Sequence, residues 1–139
     1  MNESNRAFQS AWHEIGRAAL VTRVLIADDD EAIRKLLRKL LTMNNIEVEE
    51  ASDGEMALEM LREGDFDAML LDLMMPRKNG FDVVDELRTT DPAFLPHVVV
   101  VSAFPNRAFE VLGDACRVVS KPFEIHKLIE VIHECAAAS

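Results

Sequence analysis

The chain has 139 residues, enough to bury the core of one domain and too few for two. Hydrophobic residues make up 49% of it and charged residues 29%, which argues against wholesale disorder. With a formal net charge of −10, its surface repels the phosphate backbone, so direct nucleic-acid binding is not expected.

Residues 1–20 stand apart from the rest of the chain. Phe8, Trp12 and Ile15 can share one face of a short helix, with Leu20 leading into the first strand. A loosely docked extension, a partner-binding helix and an expression remnant all stay open there. The segment lacks a signal peptide's apolar stretch, and no apolar run is long enough to span a bilayer, so no membrane association is expected.

From Val21 to the C-terminus, short apolar runs alternate with amphipathic stretches, and residues 21–139 are read as one domain. Val24-Leu25-Ile26-Ala27 is a buried strand stopped by Asp28-Asp29-Asp30. Ile33, Leu36, Leu37, Leu40 and Leu41 then recur at helical spacing over Glu31 to Leu41, with Asp30 as N-cap. Ile46 to Ala51 is a short strand. Gly54 to Arg62 is a helix with Met56, Ala57, Met60 and Leu61 inward. Ala68 to Leu71 is a third strand ending at Asp72, and a loop from Leu73 to Asn79 leads to a helix over Phe81 to Leu87. Val98 to Val101 is a fourth strand ending at Ser102. A weaker helix, about Arg107 to Leu112, precedes a fifth strand near Val118-Val119. The last helix, about Ile125 to Cys135, buries Ile125, Leu128, Ile129 and Ile132.

Strands alternating with helices predict an α/β fold: a five-stranded parallel sheet with helices on both faces. The doubly wound, flavodoxin-like order 2-1-3-4-5 suits the length; it is taken from that general class rather than derived from the spacing. In such a sheet, ligands bind beyond the carboxyl ends of the strands. Asp28 and Asp29 follow strand 1, Asp72 follows strand 3, Ser102 strand 4 and Lys121 strand 5. Three carboxylates crowded on one edge repel each other unless a cation sits among them. A hard divalent ion held by oxygens, such as Mg²⁺, is the natural solution. A carboxylate beside it can attack phosphorus and form an aspartyl phosphate, with Lys121 and the Ser102 hydroxyl on the phosphoryl oxygens. Each residue alone has a duller role: strand punctuation and helix cap, turn residue, satisfied serine, solvated lysine. Their recurrence at one kind of position favours a site.

The segments VLIADDDEAIR, LLDLMMPRKNGFDVVDELR, VVVVSA and SKPF, in this order, resemble the receiver domain of bacterial two-component response regulators. The resemblance covers about residues 22–135. It implies that Asp72 is the phosphoacceptor and that Asp28 and Asp29 are the acidic pair. Asp29 and Asp72 then bind Mg²⁺ directly, and the Met74 backbone carbonyl completes the protein ligands. It also implies a histidine kinase or histidine phosphotransfer protein as phosphodonor, and a cis bond between Lys121 and Pro122. Such a domain is a signalling phosphoacceptor rather than an enzyme in the ordinary sense. Two departures stand out. Val118 occupies the place, three residues before the lysine, where the family usually has Tyr or Phe, and the stretch from Ser102 to Lys121 is shortened. Activation is therefore expected to run through residues 103–114 rather than through a ring at position 118. Met74 and Phe104, two places after Asp72 and Ser102, cannot align a water by hydrogen bonding, so a long-lived phosphoryl group is expected.

Several alternatives stay open. The main one is a phosphorylation-independent, receiver-like binding module, against which the complete residue set counts. A metal-dependent phosphatase lacks a second acid two residues after Asp72. A flavin protein would need a glycine-rich phosphate loop where the acidic triplet stands. His126 and His133 share a helix face without a metal-site pattern. Cys116 and Cys135 are isolated thiols, as in a reducing cytoplasm. The output partner and a homodimeric state are left undecided by the sequence.

Overall fold

Successive side chains of a strand point to opposite faces of its sheet, so a strand apolar at every position must be covered on both sides. The computed structural model, which describes residues 21–138, meets that demand. The expected helix face of Phe8, Trp12 and Ile15 lies outside the described residues. Strands β1 (Thr22–Ala27), β2 (Ile46–Ala51), β3 (Ala68–Asp72), β4 (Val98–Ser102) and β5 (Arg117–Ser120) form one sheet. It is parallel, in the order β2-β1-β3-β4-β5. Helices α1 (Glu31–Thr42), α2 (Gly54–Glu63), α3 (Gly80–Thr90), α4 (Pro105–Leu112) and α5 (Ile125–Ala136) connect the strands and close the chain.

The alternation sorts the core into two layers. Leu25, Ala27, Met69, Leu71, Val98 and Val100 point to one face, where they meet Leu58 of α2, Val83, Val84 and Leu87 of α3, and Leu112 of α4. Val24, Ile26, Leu70, Val99 and Val101 point to the other, against Leu37 and Leu41 of α1 and Leu128 and Ile132 of α5. Each such fully buried side chain stabilises the fold by about 1.5–3 kcal/mol relative to exposure. The two edge strands differ from the centre. β2 carries Glu47 and Glu49 outward, each facing Arg23 of β1, and the charge discourages pairing with another chain. Only the two central residues of β5, Val118 and Val119, are partly buried.

Helix starts reflect local chemistry. Asp30 caps α1, accepting from the N–H groups of Ala32 and Ile33, as its position predicts. Asn79 and Asp82 form a reciprocal capping box on α3. Four details differ from the sequence reading. Met56 is 42% exposed, because the inward stripe of α2 runs through Gly54, Ala57 and Leu58. Leu36 is 56% exposed, since Ile33, Leu37 and Leu41 already fill the buried stripe of α1. A 3₁₀ helix over Pro92–His97, with proline at its first position, links α3 to β4 and was not anticipated. Helix α4 begins two residues earlier than read yet has only eight residues, in keeping with the shortened segment.

The β3–α3 loop is tied to the turn before α2. The Gly54 N–H donates to the Lys78 carbonyl at 3.0 Å, and a side chain at position 54 would place its Cβ only 2.1 Å from that oxygen. Arg77, at φ 63, pairs with Asp53, a buried residue that caps α2. The Met56 N–H first, and Arg77 after it, hold the Asp53 carboxyl below the usual aspartate value, with burial opposing them. A group depressed in the folded state stabilises above its unfolded pKa, and loses that contribution as pH falls through the folded one. Asp53→Asn is therefore expected to lower stability at pH 7 by about 1 kcal/mol. Urea titrations should show the gap to the wild type closing as pH drops below roughly 4.

Candidate functional site

Strand register brings the polar residues together. Ala27 pairs with Leu71, so Asp28 and Asp72 come next on adjacent strands. Asp72 pairs with Val101, and Ser102 with Ser120. The ladder runs one step further, with the Lys121 N–H donating to the Ser102 carbonyl at 2.8 Å. The Lys121–Pro122 bond beyond it is cis, as expected. Apolar strands thus end together on one edge and deliver Asp28, Asp29, Asp72, Ser102 and Lys121 there.

The three carboxylates each offer an oxygen within 4.8 Å of the others. Asp28, Asp72 and Ser102 are buried, while Asp29 is exposed. Asp28 is fixed from several sides. Its carboxylate accepts the Asp30 N–H at 2.9 Å, its own N–H donates to Ala51, and its carbonyl accepts from Arg34 at 2.7 Å. Burial pushes its carboxyl above the usual aspartate value. Asp72 and Asp29 push the same way, against the Asp30 N–H and Lys121. Asp72 Oδ1 accepts the Met74 N–H at 3.2 Å and faces Lys121 Nζ at 3.6 Å, an ion pair looser than a hydrogen bond. Gly80 permits this: the loop closes by its N–H donating to the Leu73 carbonyl, and a Cβ there would lie 2.7 Å from the Asp72 carbonyl oxygen.

Three acidic groups share one lysine, which leaves a local excess of negative charge in a partly buried pocket. That donor set, all oxygen and with two members buried, fits a hard divalent cation such as Mg²⁺. Among the described residues this is the one cluster of potential ligand side chains; His126 and His133 are exposed and belong to none. Cys116 and Cys135 are free and buried, and burial pushes the Cys116 thiol up to about 12.

Beside Asp72 lies a cavity of about 500 Å³, lined in part by Met74, Phe81, Ser102, Phe104, Arg107 and Lys121. Met74 and Phe104 are 74% and 72% exposed at its border. The Ser102 hydroxyl accepts the Phe104 N–H at 2.9 Å, which couples the end of β4 to the segment opening α4. Val118 packs against the core layer that carries α2, α3 and α4. Sequence reasoning missed the cavity, Arg107 within it, and the arginines 34 and 77 that brace the site. On a helix face or in a loop, nothing in the residue pattern separates such arginines from solvated ones.

The comparisons with known proteins agree with this geometry. Residues 24–133 match the family described as response regulator receiver domain. Response regulator MprA of Mycobacterium ulcerans (strain Agy99) is 40% identical over 110 residues, covering 77% of this chain and 47% of the relative. MprA of Mycobacterium leprae (strain TN) is likewise 40% identical over 110 residues. The chain thus spans about half the length of the curated relatives it matches. Among solved structures, the receiver domain of the Francisella response regulator 1452 superimposes with a TM-score of 0.75 at 28% identity, covering 83% of this chain and 96% of that one. Response regulator protein TrrA from Thermotoga maritima, solved in complex with Mg²⁺ and BeF, gives 0.73 at 27% identity, covering 83% and 99%. With the strand order, the acidic edge and the family match in agreement, the chain belongs to the response regulator receiver domain family.

Proposed function

We propose that this receiver domain is a phosphoacceptor that takes a phosphoryl group onto Asp72 from a histidine kinase or a histidine phosphotransfer protein, in a cytoplasmic two-component pathway. The observation that carries this reading is the meeting of Asp28, Asp29 and Asp72 on one sheet edge with Lys121 facing the Asp72 carboxylate. Asp28, Asp29, Asp72 and the Met74 backbone carbonyl are the groups that would hold Mg²⁺. When bound, the ion offsets the charge of the carboxylates and of the incoming phosphoryl oxygens.

The chain's own residues do the rest. A carboxylate oxygen of Asp72 attacks phosphorus, an Asp72 O–P bond forms, and the donor's P–N bond breaks with its electron pair leaving on the imidazole nitrogen. Lys121 is close enough to exchange its loose pairing with Asp72 for a phosphoryl oxygen. The Ser102 hydroxyl donates to another phosphoryl oxygen, and rotating to do so ends its acceptance from the Phe104 N–H. The segment from residue 103 to 114 is then released to a second arrangement. Val118, with one stiff torsion and no ring, contributes little to the change.

Acetyl phosphate with Mg²⁺ should add one phosphoryl mass to the chain, and both EDTA and Asp72→Asn should abolish it; modification persisting in Asp72→Asn would remove that residue from its role. Loss of the phosphoryl group should be slow, because Met74 and Phe104 border the site without a hydrogen-bonding group for water. Met74→Asn and Phe104→Gln are expected to raise the hydrolysis rate by about tenfold or more, measured by intact mass over time.

A further inference from the structure

The cavity beside Asp72 holds a charged group with no assigned task. Its walls include the apolar side chains of Met74, Phe81, Phe104 and Ala108, and its basic groups are Lys121 and Arg107. Lys121 already faces Asp72 at 3.6 Å. None of the ion pairs among the described residues involves Arg107. Arg107 stands in the first turn of α4, two residues after Pro105, and its guanidinium is a cationic hydrogen-bond donor suited to carboxylates.

We propose that Arg107 and this cavity receive the leaving group of a phosphodonor, and that they favour small donors of the acyl phosphate class, whose leaving group departs as an anion. This rests on Asp72 being the phosphoacceptor. In transfer from an acyl phosphate, the Asp72 O–P bond forms while the P–O bond to the acyl group breaks. The electron pair leaves on the carboxylate, and no proton moves. Attacking and leaving oxygens lie roughly in line through phosphorus, so the leaving group is on the side away from Asp72. On this assignment that side is the cavity, where Arg107 meets the growing negative charge and the apolar walls accept the acyl carbon chain. In transfer from phosphoramidate the nitrogen is already protonated when the P–N bond breaks, and neutral ammonia leaves. Arg107 has no developing charge to meet in that case.

The two donors therefore separate the role of Arg107 from that of Asp72. Arg107→Gln keeps the side chain polar while shortening it and removing the charge, and Arg107→Lys returns both length and charge. Rates of mass gain with acetyl phosphate and with phosphoramidate, in the presence of Mg²⁺, are the measurement. Arg107→Gln is expected to slow the acetyl phosphate reaction by about three- to fivefold and leave the phosphoramidate reaction unchanged, a size suited to an exposed charge. Arg107→Lys should recover most of the loss, and raising the salt concentration should shrink the difference. A ratio of the two rates that is the same in wild type and Arg107→Gln would overturn the assignment while leaving Asp72 as phosphoacceptor. Absence of mass gain in the wild type with both donors would overturn both.

Discussion

The arrangement depends on one constraint: three carboxylates are held at the end of a sheet with a single lysine among them. Asp28 and Asp72 cannot retreat into solvent, because they continue directly from β1 and β3, whose residues lie inside both core layers. Asp28 is further pinned by the Asp30 N–H and by Arg34. The price of this packing is crowding of like charge, visible in the raised pKa of Asp28. A divalent cation and a phosphoryl group together are the chemical partners that such an edge suits.

Rigidity is unevenly spread around that edge. The side carrying β1, β3 and α3 is clamped: the capping box of α3, the close approach of Gly80 to the Asp72 carbonyl, and the Asp53–Arg77 and Gly54–Lys78 ties all hold the β3–α3 loop. The side carrying α4 and β5 is looser. Helix α4 has no side-chain cap at its start, only Ala108 and Leu112 of it are buried, and the border strand β5 is half exposed. A change at Ser102 meets little resistance on that side. On the proposed function, tight packing by the acid cluster and slack beyond Ser102 would direct the response to a phosphoryl group towards α4.

Much of this was legible in the sequence. Five strands were readable to within about two residues at each boundary, four from apolar runs that end in polar residues and β2 from its alternation; the gathering of Asp28, Asp29, Asp72, Ser102 and Lys121 followed only once the doubly wound strand order was borrowed. Strands buried on both faces appear as short unbroken apolar runs bounded by polar residues, and it was their length and their polar ends that made them readable. The errors fell where a residue sits beside an apolar stripe instead of on it, as with Leu36 and Met56. They also fell where structure comes from proline geometry without periodicity, as in Pro92–His97. Arg34, Arg77 and Arg107 were unreadable for a different reason. Arg34 and Arg77 reach groups on other elements, Glu50 and Asp53, and Arg107 lines a cavity formed between elements.

Backbone amide spectra of the labelled protein, with and without Mg²⁺ and beryllofluoride, test the central claim most directly. Large shifts should begin at residues 28, 29, 72, 102 and 121 and extend across residues 103–114, with little change at Val118. Spectra that respond to neither addition would contradict the phosphoacceptor site, and changes that stop at the strand ends would contradict its coupling through Ser102.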